Sequence, residues 1–155
     1  MYKGMKMGSE TIAIASDHAG LDLKAVIIKE LKAAEFKILD FGTNSDESVD
    51  YSDYAYPLAK SINENKISRG ILICGSGIGM SIAANRFPRI RAALVQDPLG
   101  AQLCRQHNNA NIICLGARTT EIKMAINCLE VFLKTEFQEG RHTGRIKKLC
   151  NPPNL

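Results

Sequence analysis

Five short apolar runs alternate along the chain with stretches whose apolar residues recur every three or four positions. The first run, Thr11-Ile12-Ala13-Ile14-Ala15, ends at the polar segment Ser16-Asp17-His18-Ala19-Gly20. Leu23, Val26, Ile27, Leu31 and Ala34 follow at helical spacing. Lys37 to Phe41 forms the second run, and a polar loop from Gly42 through Asp50 leads to a helix around Tyr54 to Glu64. Gly70 to Cys74 reads as a strand buried on both faces, broken by Gly75-Ser76-Gly77-Ile78-Gly79. The pattern then predicts a short helix over Met80 to Phe87, a strand over Ile90 to Val95, a helix over Pro98 to His107 and a strand over Asn111 to Leu115. After Thr119 comes a long amphipathic helix with Ile122, Ala125, Ile126, Leu129, Phe132 and Leu133 on one stripe. Gly140 opens a basic tail, Arg141-His142-Thr143-Gly144-Arg145, which runs into a last helical turn before Pro152-Pro153.

Strands that alternate with helices and are apolar throughout predict an α/β protein, a three-layer α/β/α Rossmann-like domain with a five-stranded parallel sheet. Residues 11–150 form one domain, residues 140–150 being its basic C-terminal segment; residues 1–10 read as a flexible arm and 151–155 as a tail. Ligands of such folds sit outside the carboxyl ends of the strands, near a topological switch point. That singles out Asp17-His18, Cys74 to Gly79, Asp97 and Gly116 to Arg118.

Composition removes whole classes of function. The 155 residues are 45% apolar and 23% charged, enough for one core without a disulfide or metal staple. A net charge of +4 is mild and scattered, so no nucleic-acid surface is expected. No apolar run approaches the ~20 residues of a membrane span, and the N-terminus does not resemble a signal peptide. Cys74, Cys104, Cys114, Cys128 and Cys150 are odd in number and include no CxxC pair. A disulfide framework or zinc ribbon is not expected, and a reducing, cytoplasmic compartment is.

The glycine loop admits three readings. A Walker A loop needs a Gly-Lys-Ser/Thr ending, and Gly79 is followed by Met80. A dinucleotide fingerprint needs GxGxxG and a later acid; the spacing here is GxGxG, although Asp97 supplies an acid. The third reading uses Cys74. The N-terminus of a helix favours a thiolate placed there, and loop amides can face an oxyanion formed beside it. Cys104, Cys114 and Cys128 lie inside predicted helices and a strand and read as inert, and Cys150 has no partner group in sequence.

The three histidines also lie beside polar groups. His18 follows Asp17, His107 precedes Asn108-Asn109 at a helix C-terminus, and His142 lies among arginines. No HxH or HxxxH spacing suggests a metal. Arg141 and Arg145, four apart, form a fork for one phosphate if that segment is helical.

Ser16 to Gly20, Ile73 to Asn85, Gly100 to Leu103, Arg105 to Asn108, Leu115 to Arg118 and Gly140 to His142 together resemble type B ribose-5-phosphate isomerase, in family order and over nearly the whole chain. The resemblance implies cofactor-free and metal-free interconversion of ribose 5-phosphate and ribulose 5-phosphate through a cis-enediolate. It assigns proton transfer to Cys74, and the O1 charge to Ser76 and the backbone of Gly75, Gly77, Ile78 and Gly79. It assigns ring opening to His107, sugar contacts to Asp17, Tyr51 and Asn108, and phosphate contacts to His18, Arg141 and Arg145 with Arg118 near them. It further implies a homodimer, or a tetramer built from dimers, with each site at the subunit interface.

Departures from the family pattern refine this. Met80 stands where one branch has a glutamate base, Ser76 where many members have threonine, and Ser52 where proline is common after Tyr51. Allose-6-phosphate and galactose-6-phosphate isomerases are near relatives. A nucleotide-binding module or a non-catalytic sugar-phosphate sensor are the alternatives from other classes.

Overall fold

The computed structural model describes residues 10–153. The expected N-terminal arm, except Glu10, and the last two tail residues lie outside them. The strands are β1 (Thr11–Ser16), β2 (Lys37–Asp40), β3 (Arg69–Cys74), β4 (Ala92–Leu94) and β5 (Ile112–Gly116). The helices are α1 (Leu21–Ala33), α2 (Tyr51–Asn63), α3 (Ile78–Ala84), α4 (Pro98–Asn108), α5 (Ile122–Lys134) and α6 (Arg141–Cys150), with a 3-10 turn at His18–Gly20.

All strand pairs are parallel, and their order across the sheet is β2-β1-β3-β5-β4. Chain direction then decides which face each helix covers. The connections β1→β2 and β4→β5 move one way across the sheet, and β2→β3 and β3→β4 move the other. Right-handed crossovers therefore place α1 and α4 on one face and α2 and α3 on the opposite one. The buried side chains agree. Ile12, Ile14, Ile71, Ile73, Ile113 and Leu115 pack with α1, α4 and α5, while Ala13, Ala15, Leu72, Cys74, Ile112 and Cys114 pack with α2 and α3. Alternate residues of a strand face opposite ways, so uninterrupted apolar runs are what a doubly covered sheet requires. The switch point falls between β1 and β3, whose following helices leave on opposite faces, and a crevice opens at their carboxyl ends.

Several boundaries differ from the sequence reading. Helix α2 begins at Tyr51 rather than Tyr54: Asp53 N–H already closes on Asp50 O (3.2 Å), in a polar first turn without an apolar stripe. Helix α3 begins at Ile78, because Gly77 at φ +76° starts it, and stops before Phe87. Its end follows from Asn85, whose amide pairs with Ala92 like a strand backbone, donating to Ala92 O (2.8 Å) and accepting from Ala92 N–H (2.9 Å). Strand β4 is correspondingly shorter than predicted. The basic tail is a ten-residue helix rather than a final turn. Only His142 of that helix is buried, so no hydrophobic stripe announces it.

Candidate active site

Strand β3 delivers Cys74 to the switch point, where its side chain is 4% exposed. The turn that follows is shaped by two glycines. Gly77 adopts the left-handed conformation and folds its N–H back onto Cys74 Sγ at 3.1 Å. At Gly79 a Cβ would stand 2.6 Å from the Tyr51 ring, so that ring lies directly on the backbone of the first helical turn. Ser76 Oγ accepts from Ile78 N–H (3.3 Å), which leaves its own proton free to point into the crevice. First-turn amides of a helix have no intrahelical acceptor and are available to an anion.

The β5 end closes over this loop. Ala117 N–H donates to Cys74 O (2.8 Å) and Arg118 N–H to Gly75 O (2.9 Å). The Arg118 side chain lies along Gly75, its Cδ 3.4 Å from where a Cβ would be. From β1, Asp17 N–H donates to Ile73 O (3.1 Å), and the Asp17 carboxylate accepts from Gly20 N–H (3.1 Å). His18 Nδ1 accepts from Val49 N–H (3.2 Å), so the proton of the neutral ring resides on Nε2. The carboxyl end of the sheet thus gathers Asp17, His18, Tyr51, Cys74, Gly75, Ser76, Gly77, Ile78, Gly79 and Arg118. It presents a thiol, amide donors and a cation around one crevice.

The remaining predicted residues lie at the other end. Helices α4 and α5 run back from the carboxyl ends of their strands, and their C-termini meet the amino ends. Arg91, just before β4, donates to Asn109 O (3.0 Å), and Arg69, the first residue of β3, donates to Leu133 O (2.7 Å). His107 and Asn108 are therefore at the amino end, as is α6. The His107 and His142 rings stack at 4.4 Å between centroids with 9° between planes. Desolvation, reinforced by His107, Arg141 and Arg145, holds the His142 imidazole below the usual histidine range. Arg141 and Arg145 are one helical turn apart, so the condition for their phosphate fork is met. Arg118 lies by Gly75 and not, within one protomer, near Arg141 and Arg145. In β3 and β5, Gly70 pairs with Ile112 and Cys74 with Gly116. Four strand steps, about 13 Å, thus separate Cys74 from the level at which His107 has yet to be reached.

His142 was visible in sequence only as one residue of a basic run. It is the one buried residue of α6, and its ring stacks on that of His107. Asp97, the acid a dinucleotide site would use, caps α4 by accepting from Gly100 N–H (2.8 Å). It follows β4, which β5 separates from the glycine loop's strand. That geometry disfavours the nucleotide reading.

The other buried thiols are chemically quiet. Burial pushes Cys104 and Cys128 up to about 11 and raises Cys114 further. Native protein treated with an alkylating thiol reagent at pH 8 is expected to keep all three unmodified by mass spectrometry. Alkylation of any of them before unfolding would contradict this.

The ribose/galactose isomerase family matches residues 12–149. Among curated relatives, ribose-5-phosphate isomerase B of Escherichia coli is 38% identical over 138 residues, covering 89% of this chain and 93% of its own. A ribose 5-phosphate isomerase structure from Thermotoga maritima is 48% identical, with a TM-score of 0.88 over 90% of this chain and 97% of its own. A ribose-5-phosphate isomerase B structure from Mycoplasma genitalium, with ribulose-5-phosphate bound, is 42% identical, with a TM-score of 0.88 over 93% of this chain and 95% of its own.

Proposed function

The chain belongs to the ribose/galactose isomerase family, and from that membership we propose that it is a cytoplasmic aldose–ketose isomerase interconverting ribose 5-phosphate and ribulose 5-phosphate. The observation that carries the reading is the free thiol of Cys74, held by Gly77 N–H at the head of an amide-rich turn. It is what proton transfer next to a carbonyl needs: a base beside fixed donors for the charge that develops.

In the open-chain aldose, the Cys74 thiolate takes the C2 proton. The C–H electron pair becomes the C1–C2 double bond, and the carbonyl pair moves onto O1. The turn from Gly75 to Gly79 and the Ser76 hydroxyl receive that charge. The thiol, whose proton exchanges with solvent while the enediolate is bound, then delivers a proton to C1 while the O2 proton passes to O1, leaving a ketone at C2. Positioned proton transfer of this kind supplies roughly 10²–10⁴-fold, so base and anion cradle must act together. The phosphate, held by His18 and the arginines, contributes binding energy that fixes C1 and C2 against the sulfur. Asp17, Tyr51 and Asn108 orient the hydroxyls.

His107 opens the furanose by protonating its ring oxygen as the bond from that oxygen to C1 breaks, while the anomeric hydroxyl gives its O–H electron pair to the C1 carbonyl and its proton to solvent. Cys74 works on C1 and C2. Both groups must therefore reach neighbouring atoms of one small molecule, yet one protomer places them at opposite ends of its sheet. A homo-oligomer resolves this, with the Cys74 end of one copy facing the His107 and α6 end of another. Exposed apolar side chains on α3, β4 and α4, among them Ile78, Ile82, Leu94 and Leu99, offer surface for such an interface.

Incubation with ribose 5-phosphate in deuterated water and a metal chelator tests the proposal, with allose 6-phosphate run in parallel. The expected result is ribulose 5-phosphate carrying deuterium at C1, and less product from the six-carbon sugar. No ketose and no exchange from ribose 5-phosphate would contradict it.

A further inference from the structure

We propose that Lys24 is a positioning residue for the phosphate-facing histidine, acting through the loop between β2 and α2; this rests on the isomerase reading of His18. Lys24 lies on α1 and is 2% exposed, an unusual place for an ammonium group. Its Nζ donates to both carboxylate oxygens of Asp40 (2.9 and 3.0 Å), to Thr43 O (2.6 Å) and to Asn44 Oδ1 (3.3 Å). Asp40 also accepts from Gly42 N–H (2.8 Å), and Thr43 N–H donates to Ser16 O (2.6 Å), so the start of the loop is tied to the end of β1.

From there the loop is held by short local bonds. Ser45 N–H donates to Thr43 Oγ1 (3.3 Å), and Glu47 N–H to Ser45 Oγ (3.1 Å). Two residues further on, Val49 N–H donates to His18 Nδ1. That last bond fixes both the ring's orientation and its tautomer, leaving Nε2–H as the outward donor. A segment without regular secondary structure thus sets which nitrogen of His18 can meet an anion, and its anchor is a cation bonded to Asp40, Thr43 and Asn44. A buried ion pair is by itself weak evidence of a role in stability, whereas its hydrogen bonds do fix geometry.

Lys24→Met tests this, because it keeps the length of the buried side chain and removes its donors. The expected result is a KM for ribose 5-phosphate raised about tenfold, the scale of one weakened hydrogen bond to a charged group, with kcat changed less than about twofold. Nitrogen NMR of the His18 ring should show a single Nε2–H tautomer in the parent and a mixture in the variant. Where Lys24→Met does not fold, Asp40→Asn decides the question, since it keeps the size of the side chain and removes the charge through which Lys24 holds the start of the loop. A folded variant with the parental His18 spectrum and an unchanged KM would overturn the proposal. The tautomer measurement needs no turnover, so a parent that binds phosphate without isomerising would sink the isomerase reading and leave this inference standing or falling on the spectrum.

Discussion

Replacing Cys74 by alanine is expected to leave a folded protein whose kcat on ribose 5-phosphate falls by at least about 10²–10⁴-fold, the contribution of a positioned proton carrier. The side chain loses a single sulfur from a site already at the edge of the core, so the stability cost should stay near about 1 kcal/mol. Affinity for the phosphate should change little, because His18, Arg118, Arg141 and Arg145 remain. Cys74→Ser sharpens the test: it keeps the size and the acceptor for Gly77 N–H but replaces a thiol by a far weaker acid. It is expected to be nearly as inactive as the alanine variant. Steady-state kinetics with a thermal melt on each variant checks both points, and retention of kcat within a few-fold in Cys74→Ala would remove Cys74 from its assigned role.

The sheet was legible because a doubly covered strand must be apolar on both sides, and Ile12 to Ala15 and Ile71 to Cys74 are so. The helices were legible where burial wrote a stripe, as with Leu129, Phe132 and Leu133 of α5. Helix α6 carried no stripe, and its full length did not show. The ends of α3 depended on Gly77 and on the Asn85 side chain standing in for backbone, neither of which a hydrophobic pattern records. The strand-end residues to which the chemistry is proposed to fall, Asp17, His18 and Cys74 to Gly79, stood out because a parallel sheet places its ligands there. Their supports did not. Val49 acts through its backbone amide, Lys24 reads as one lysine of an amphipathic helix, and His142 matters through its stacking on His107. The separation of Cys74 from His107 was equally invisible in linear order, since it follows from helices running antiparallel to strands.

That separation makes the most consequential prediction. In a two-fold dimer with shared sites, Cys74→Ala spoils the site that draws Cys74 from the altered chain, and His107→Asn spoils the site that draws His107 from it. Each variant alone is expected to be severely impaired. In a mixed dimer both lesions fall in one site, and the other site is intact. Random pairing of equal amounts gives half mixed dimers, each with one working site, so co-refolded variants should recover about a quarter of parental activity in a two-fold symmetric assembly. A site contained within one chain cannot be complemented in this way, whatever the oligomeric state. The measurement is the activity of the co-refolded mixture against the two variants refolded separately and then combined. Recovery to about a quarter of parental turnover is expected of shared sites; activity no greater than the sum of the separate variants, or full activity in His107→Asn alone, would contradict them.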